Sequence, residues 1–213
     1  MMTSTPMVFV IDDDPSVRKS LQRLLDAAEY KTELFNSASE FLARSAHLGP
    51  SCIIVDVKMP GVTGMDLQKT LVDSGREEQL VFITAHGDIP MCAQVMKAGA
   101  VDFLPKPFKP NQLLESVERA LTRSTEQQRR ASEKNNARAL LEKLTPREHE
   151  VMQLVATGLL NKQVGGELGM AEKTVKTHRA HMMQKLGITS VAELMVILQK
   201  AEVTPPDRPG TKV

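Results

Sequence analysis

Residues 8–14 read Val8-Phe9-Val10-Ile11-Asp12-Asp13-Asp14, four apolar residues followed at once by three carboxylates. An unbroken apolar run rich in β-branched side chains is typical of a parallel strand that is buried on both faces. Carboxylates that directly follow such a strand lie at its carboxyl end, where ligands bind in open α/β sheets. This stretch therefore predicts both a buried strand and an acidic site at its end.

Four further strand patterns follow, and helical patterns separate them. The strands are predicted at 31–35, 52–55, 80–83 and 100–104. The helices are predicted at 14–28, 38–46, 64–74, 90–98 and 111–121. Alternation of strand and helix repeated five times predicts an α/β fold with a doubly wound, five-stranded parallel sheet.

Beyond residue 144 the start and stop signals indicate only helices. Thr145-Pro146-Arg147-Glu148 is a capping box with proline at the first helical position. A second helix is predicted to begin near Asn161 as its cap, a third to span 172–186, and Ser190 with Glu193 to open a fourth. Three glycines fit the helix ends: Gly158, Gly169 and Gly187. The pattern predicts an all-α four-helix domain.

The segment between the two domains is rich in Gln, Arg, Ser, Asn and Glu. Many of these are good helix formers, which favours a semi-rigid helical linker, and a disordered tether is the alternative. We expect four segments: an α/β domain at 7–121, a linker at 122–142, a helical domain at 143–203 and a disordered tail at 204–213.

The net charge of +1 argues at first against a nucleic-acid partner. However, residues 1–122 hold 12 basic and 16 acidic side chains, whereas residues 123–213 hold 15 and 10. The small total therefore averages an acidic module and a basic one. Aromatic residues make up 3% of the chain and Trp is absent, which argues against a single-strand binder that works by base stacking.

Cellular location is addressed by the cysteines and by the apolar runs. Cys52 and Cys92 have neither metal-site nor paired-thiol spacing, which indicates reduced thiols in a cytoplasmic protein. The apolar runs are far shorter than the ~18–20 residues that span a bilayer. The N-terminus shows no secretory signal. We expect no membrane partner.

Polar side chains at four strand ends predict a phosphoryl-transfer site. Asp12 and Asp13 follow the first strand, Asp56 the third, Thr84 ends the fourth and Lys106 the fifth. Packed carboxylates call for a cation, and hard oxygen ligands suit Mg²⁺. In such a site Asp56 is a carboxylate nucleophile. Taken singly, each Asp is more often a helix cap and the lysine an ordinary surface residue.

The first domain resembles the receiver domain of bacterial two-component response regulators, especially the FixJ-like group. The resemblance is carried by Asp12-Asp13, Asp56-Val57-Lys58-Met59-Pro60-Gly61, Thr84-Ala85-His86-Gly87-Asp88 and Phe103-Leu104-Pro105-Lys106-Pro107-Phe108. It implies a flavodoxin-like (CheY-like) sheet and a phosphoryl group accepted on Asp56 from a histidine kinase. It also implies that the protein is not an enzyme apart from Mg²⁺-dependent phosphorylation and dephosphorylation of itself.

The same resemblance assigns the remaining receiver residues. Asp13, Asp56 and the backbone carbonyl of Lys58 would ligate Mg²⁺, with Asp12 acting through water. Lys106 would neutralise phosphoryl oxygens. Thr84 and Phe103 would form the switch pair, in which the hydroxyl moves toward the phosphate and the ring turns inward. Ala85 would leave room beside the phosphate. An influence of His86 on dephosphorylation is the weakest of these inferences.

The second domain combines a helix-turn-helix pattern with a basic recognition helix. Residues 142–203 resemble the output domain of LuxR-, NarL- and FixJ-type transcription factors through Leu144-Thr145-Pro146-Arg147-Glu148, Glu150-Val151, Gly158, Asn161-Lys162, Leu168-Gly169 and Thr174-Val175-Lys176-Thr177-His178. This implies DNA contacts by Lys173, Thr174, Lys176, Thr177 and Arg179, and phosphate contacts by Asn161, Lys162 and Lys185. The resemblance also implies dimer contacts by Val191, Leu194, Met195 and Leu198, and packing onto the domain's own core is the alternative for each of them.

Two departures from the output family stand out. Gly165 and Gly166 lie inside the second helix, where the family usually has Ala at the first position, and each glycine costs ~1 kcal/mol relative to alanine. This predicts a frayed helix. Ala171 occupies a position where many relatives carry a capping Ser or Thr, and Glu172 compensates in part through the helix dipole.

These features predict a phosphorylation-dependent transcription factor that binds duplex promoter DNA as a phosphorylation-promoted homodimer. RNA polymerase is a further candidate partner. An aspartyl phosphatase of the haloacid-dehalogenase type is disfavoured, because the second Asp that it needs two positions after the nucleophile is Lys58 here. An RNA-binding antiterminator is disfavoured by the helix-turn-helix. A metal site at His178 and His181 lacks a third ligand in the sequence nearby.

Overall fold

The fold was analysed in a computed structural model that describes residues 5–76, 78–85 and 89–206. The chain divides into two compact units, Met1–Gln128 and Arg129–Val213. Within the described residues, no helix is both long enough and apolar enough to cross a membrane. The expected disordered tail falls partly on residues 207–213, which lie outside the described part of the chain.

The first unit is built on five parallel strands, and this confirms the predicted sheet. The strands are β1 (Met7–Ile11), β2 (Lys31–Phe35), β3 (Ser51–Asp56), β4 (Gln79–Thr84) and β5 (Asp102–Pro105). Their order in the sheet is β2-β1-β3-β4-β5. Because β1 and β3 are neighbours, with Ile11 paired to Val55, the carboxylates that follow these two strands are brought to one edge.

Helices cover both faces of this sheet. They are α1 (Pro15–Ala27), α2 (Ala38–Ala43), α3 (Gly64–Asp73), α4 (Ile89–Lys97) and α5 (Pro110–Leu141). One apolar cluster contains Phe9 and Phe82, and another contains Val10 and Val81. Since successive strand residues point to opposite faces, the two clusters lie on opposite sides of the sheet.

Helix α2 is shorter than the predicted 38–46. It ends at Ala43, and Arg44 adopts extended backbone geometry. The Arg44 guanidinium carbon lies 3.9 Å from the ring centre of Phe9 and 4.2 Å from that of Phe41. These cation–π contacts belong to tertiary packing, and a local helical pattern does not reveal them.

Residues 122–141 are helical as part of α5, so the disordered-tether alternative does not hold for them. Near the middle of α5, the Ser51 N–H donates to Ser124 Oγ at 3.0 Å, and Gln79 Nε2 donates to Gln127 Oε1 at 2.8 Å. Farther along, Ala137 and Leu141 are buried in the apolar core of the second unit. Much of the expected linker is thus packed into one unit or the other.

The described part of the second unit contains four further helices, as predicted. They are α6 (Pro146–Ala156), α7 (Asn161–Leu168), α8 (Glu172–Leu186) and α9 (Val191–Ala201). The capping box of Thr145 and Glu148 is confirmed at the start of α6. The cap prediction for Asn161 is wrong, because Leu160 occupies the cap position and Asn161 is the first helical residue. The Leu160 N–H donates to Gln163 Oε1 at 2.9 Å.

The two glycines of α7 have different surroundings, and the helix is continuous through both. A Cβ on Gly165 would lie 2.6 Å from the Met170 carbonyl oxygen, whereas a Cβ on Gly166 would have no atom within 4 Å. Gly165 therefore permits the close approach of the turn that follows α7. Gly166 carries only the entropic cost of glycine in a helix.

We expect Gly166→Ala to stabilise the second unit by ~0.5–1 kcal/mol, because alanine loses less backbone entropy on folding. Gly165→Ala is the matched control and should destabilise the same unit, because the Met170 carbonyl must move. Native-state hydrogen exchange of the α6 and α8 amides measures both effects in the full chain. Equal effects of the two substitutions would contradict the packing argument.

Candidate functional site

Three carboxylates meet at the carboxyl edge of the sheet. Asp12 and Asp13 follow β1, and Asp56 ends β3. Each offers one oxygen, and these oxygens all lie within 4.8 Å of one another. Carboxylates this close repel each other unless a cation lies between them. The cluster is therefore a candidate metal centre.

Lys106 supplies part of the missing positive charge. Its Nζ lies 2.8 Å from Asp12 Oδ2 and 3.7 Å from Asp56 Oδ2. The lysine is held at the end of β5, where its backbone N–H donates to the Thr84 carbonyl at 2.7 Å and its peptide bond to Pro107 is cis. Thr84 is itself buried at the end of β4. The structure thus brings together the predicted acids, the lysine and the threonine.

Asp56 has the most perturbed environment of the three acids. Its side chain is 14% exposed, and Oδ1 is buried without a hydrogen-bond partner among the residues that the structure describes. Burial raises the pKa of Asp56, Lys106 opposes this rise and the charge of Asp12 adds to it. Three close carboxylates with one oxygen unpartnered are a donor set that fits Mg²⁺.

Two contacts around the acids were not predicted from the sequence. Gly64 begins α3 so close to the Asp56 carbonyl oxygen that a Cβ at this position would force the backbone apart. The Arg18 side chain in α1 donates to the Asp12 carbonyl. A glycine directly after the possible cap Thr63 was the available signal for the first contact, whereas the second depends on tertiary packing.

The switch candidate Phe103 lies in β5, partly buried against the cluster that contains Phe9 and Phe82. It pairs in register with Phe82 of β4, as Thr84 pairs with Pro105. Thr84 and Phe103 therefore lie on neighbouring strands. His86 lies outside the described residues, as do residues 87 and 88. The metal-ligand role of the Lys58 carbonyl stays a prediction.

The predicted DNA-contacting residues of α8 share an exposed surface. Lys173, Thr174, Lys176 and Thr177 are exposed, and Val175 between them is buried in the core. Lys162 in α7 is exposed as well. A basic, hydroxyl-bearing helix surface in a helix-turn-helix fits contacts with DNA phosphates and base edges.

Two of the predicted phosphate-contacting residues have partners within the protein. Asn161 Oδ1 accepts a hydrogen bond from Arg179 Nη1 at 3.0 Å. Lys185 Nζ lies 2.6 Å from Glu148 Oε2, and Glu148 is buried. The Lys185 ammonium, followed by the Thr145 backbone N–H, lowers the pKa of Glu148 to about 2. Lys185 thus stabilises the charge of a buried acid.

The dimer candidates on α9 differ in how far they are buried. Leu194 and Leu198 are each 1% exposed and belong to the core of the second unit, so the core-packing alternative applies to them. Val191 is partly buried against that core. Met195 is 40% exposed and its neighbour Val196, which was not predicted, is 50% exposed. The sequence shows the apolar stripe but not which side of it meets the core.

Comparison with known families matches both units. Residues 8–118 match the family described as "Response regulator receiver domain". Residues 142–198 match "Bacterial regulatory proteins, luxR family". A parallel sheet with an acidic edge, followed by a helix-turn-helix domain, defines the class of receiver proteins with a DNA-binding output.

Individual relatives are similar along most of the chain. Nodulation protein W of Bradyrhizobium diazoefficiens is 44% identical over 89% of this chain and 83% of its own length. Transcriptional regulatory protein FixJ of Azorhizobium caulinodans is 37% identical over 94% and 95%. The solved structure of response regulator StyR has a TM-score of 0.84 and 45% identity, and covers 92% of this chain and 100% of StyR.

This chain therefore belongs to the response regulators that carry a receiver domain and a LuxR-type DNA-binding domain. The family consists of transcriptional regulators rather than typical enzymes. The family predicted from the sequence, its fold class and its general function are confirmed. A receiver implies a histidine kinase as partner, and the LuxR-type domain implies DNA.

The raised pKa of Asp56 makes a prediction about stability. The folded protein disfavours the ionised Asp56, so this group's contribution to the free energy of unfolding falls as pH rises through the raised pKa. Without divalent metal at pH 7, Asp56→Asn should therefore melt at a higher temperature than the wild type. The difference should shrink toward pH ~3.9, the ordinary Asp pKa.

Asp66→Asn is the matched control, because hydrogen bonds from Thr63 lower the pKa of the exposed Asp66. That substitution should lower the melting temperature at pH 7 rather than raise it. Added Mg²⁺ should stabilise the wild type more than Asp56→Asn. Thermal melts at several pH values measure all of this, and an Asp56→Asn variant less stable than the wild type at pH 7 without metal would refute the prediction.

The ion pair of Lys185 with the buried Glu148 makes a second prediction. Lys185→Met keeps the apolar part of the side chain but removes the ammonium group that pairs with Glu148. This should lower the free energy of unfolding of the second unit by ~1–3 kcal/mol at pH 7. This loss should diminish as pH falls from the ordinary Glu pKa of 4.5 toward about 2, where Glu148 becomes neutral. Lys162→Met, at an exposed lysine, should change stability by less than ~0.5 kcal/mol.

Proposed function

We propose that the chain accepts a phosphoryl group on Asp56 from a histidine kinase and thereby changes its binding to duplex promoter DNA. The observation that carries this proposal is the carboxylate cluster, in which an unpartnered Asp56 oxygen lies beside two further acids and Lys106. An exposed basic helix α8 in the same chain supplies the output. We place the protein in the cytoplasm, where such a kinase and the chromosome are both accessible.

The chemistry proposed for Asp56 is nucleophilic. A carboxylate oxygen of Asp56 attacks phosphorus, a P–O bond forms, and the P–N bond to the kinase histidine breaks with its electron pair going to the imidazole. Asp12, Asp13, Asp56 and the Lys58 carbonyl would hold Mg²⁺, which supplies neutralisation of the phosphoryl oxygens. Lys106, now 3.7 Å from Asp56 Oδ2, would bind one of those oxygens.

The proposed signal passes from Asp56 through Thr84 to Phe103. Phosphorylation adds about −1.5 to −2 charges and new acceptor oxygens, which would draw the Thr84 hydroxyl toward them. Thr84 and Phe103 lie on the neighbouring strands β4 and β5, so space vacated by one side chain is available to the other. An inward turn of Phe103 would change the surface formed by α4 and β5.

The proposed output is sequence-specific DNA binding by a homodimer that phosphorylation promotes. Lys173, Thr174, Lys176 and Thr177 are exposed on α8 for groove contacts. Met195, with its neighbour Val196, offers exposed apolar surface on α9 for a second copy. RNA polymerase remains a candidate partner of the bound dimer. Relatives named as transcriptional regulatory proteins support a role in transcription.

The proposal makes a prediction for the phosphorylated state. Acetyl phosphate with Mg²⁺ should add one phosphoryl group to the wild type, as measured by intact mass, and beryllofluoride should mimic it. DNA affinity should rise by about 5- to 150-fold, the usual range of coupling between two sites. Electrophoretic mobility shift against duplexes selected from a random pool measures the change, and sedimentation velocity measures dimer formation.

Asp56→Asn should show neither the added mass nor the gain in affinity, whereas Asp73→Asn, at an exposed acid at the end of α3, should behave as wild type. Phosphorylation of Asp56, confirmed by intact mass, that leaves DNA affinity and the oligomeric state unchanged would overturn the proposed switch. If the protein released inorganic phosphate from unrelated phosphomonoesters over many catalytic turnovers, the phosphatase alternative would be favoured.

A further inference from the structure

Asn161 and Arg179 come from the two helices of the helix-turn-helix and contact each other directly. Arg179 Nη1 donates to Asn161 Oδ1 at 3.0 Å, and both side chains are half-buried. Asn161 begins α7, and Arg179 lies in the middle of α8. The hydrogen bond therefore fixes a long cationic side chain of one helix to the first residue of the other.

The Asn161 side chain does not cap α7. Asparagine near a helix start ordinarily caps the helix through its own oxygen. Here Leu160 occupies the cap position of α7, and the Asn161 oxygen accepts a hydrogen bond from Arg179. A guanidinium has five N–H donors, so Arg179 keeps further donors for a ligand while one is held.

The position of Arg179 on α8 separates it from the exposed residues of the recognition helix. At 100° per residue, Arg179 lies about 60° around the helix from Lys176, on the side of α8 that reaches α7. Lys173 and Lys176 are exposed, whereas Arg179 is half-buried. In helix-turn-helix proteins the recognition helix enters the major groove and the first helix crosses the DNA backbone.

We propose that Asn161 is a positioning residue that directs Arg179 to a backbone phosphate of duplex DNA. An arginine tied to the start of the helix that crosses the backbone meets phosphate oxygens rather than base edges. Base reading then falls to Lys173, Thr174, Lys176 and Thr177. The hydrogen bond restricts a side chain that otherwise loses much rotamer freedom on binding, so it pre-organises the contact. This inference rests on the proposed DNA-binding function.

The test compares single variants and a double variant of the full chain on two duplexes. One duplex is selected by the wild type from a random pool, and the other is an unrelated duplex of equal length. Arg179→Ala should weaken binding to both duplexes by the same factor, about 10-fold or more, and reduce the salt slope by ~0.9. Lys176→Ala is the matched control and should weaken binding mainly to the selected duplex.

Asn161→Ala should weaken binding to both duplexes by about 3- to 10-fold, less than the loss of the arginine itself. In the Arg179→Ala background it should have no further effect, because a positioning residue acts only through its partner. Without DNA, the ¹⁵N order parameter of the Arg179 Nε–H group should fall in Asn161→Ala and stay near the wild-type value in Asn161→Asp, which keeps an acceptor. Thermal melts confirm that each variant is folded.

The outcomes separate this inference from the function on which it rests. An equal loss from Asn161→Ala with and without Arg179 would overturn the positioning role. A loss confined to the selected duplex in Arg179→Ala would overturn the phosphate assignment. An unchanged order parameter in Asn161→Ala would overturn the pre-organisation argument. In each case binding by the wild type and its loss in Lys176→Ala would leave the proposed function standing, whereas a wild type that binds neither duplex would refute that function itself.

Discussion

The repulsion among Asp12, Asp13 and Asp56 is the constraint on which the receiver's chemistry depends. The strand order places β1 beside β3, so these acids are forced to within 4.8 Å of one another. Lys106 at the end of β5 offsets part of that charge, and burial, with a smaller contribution from the charge of Asp12, raises the pKa of Asp56. An edge with such an excess of negative charge is a candidate site for a divalent cation, whose charge would offset that of the carboxylates.

The output domain handles its charges in the opposite way. Its one buried acid among the described residues, Glu148, is fully engaged by Lys185 and by the Thr145 cap. Its exposed cations on α8 remain available for phosphates and base edges. The two modules thus differ both in the balance of their charges and in how their acidic groups are paired within the protein. These differences explain how a chain with a net charge of +1 can hold both an acidic candidate metal site and an exposed basic surface.

Features that depend on local pattern were predictable from the sequence, and features that depend on distant contacts were not. The five strands and the site acids follow from apolar runs that end in polar residues, because strand ends in a parallel sheet share one edge. Helix α2 ends at Ala43, and the next residue, Arg44, stacks on the distant Phe9. Leu160 holds the cap position of α7, and Asn161 accepts a hydrogen bond from Arg179, 18 positions away. Leu194 faces the core because of how α9 packs, and one helical stripe cannot show that.

Helix α5 (Pro110–Leu141) also limits how modules of this kind can be exchanged between relatives. Ser124 and Gln127 are hydrogen-bonded within the first unit, and Ala137 and Leu141 fill the core of the second. An output fragment that began at residue 143 would lose two buried side chains and keep the hole that they fill. A chimaera therefore needs its junction inside residues 128–136, where neither unit gives up a contact of these four side chains. Junctions placed where the composition changes, at residue 121 or 142, would interrupt one unit or the other.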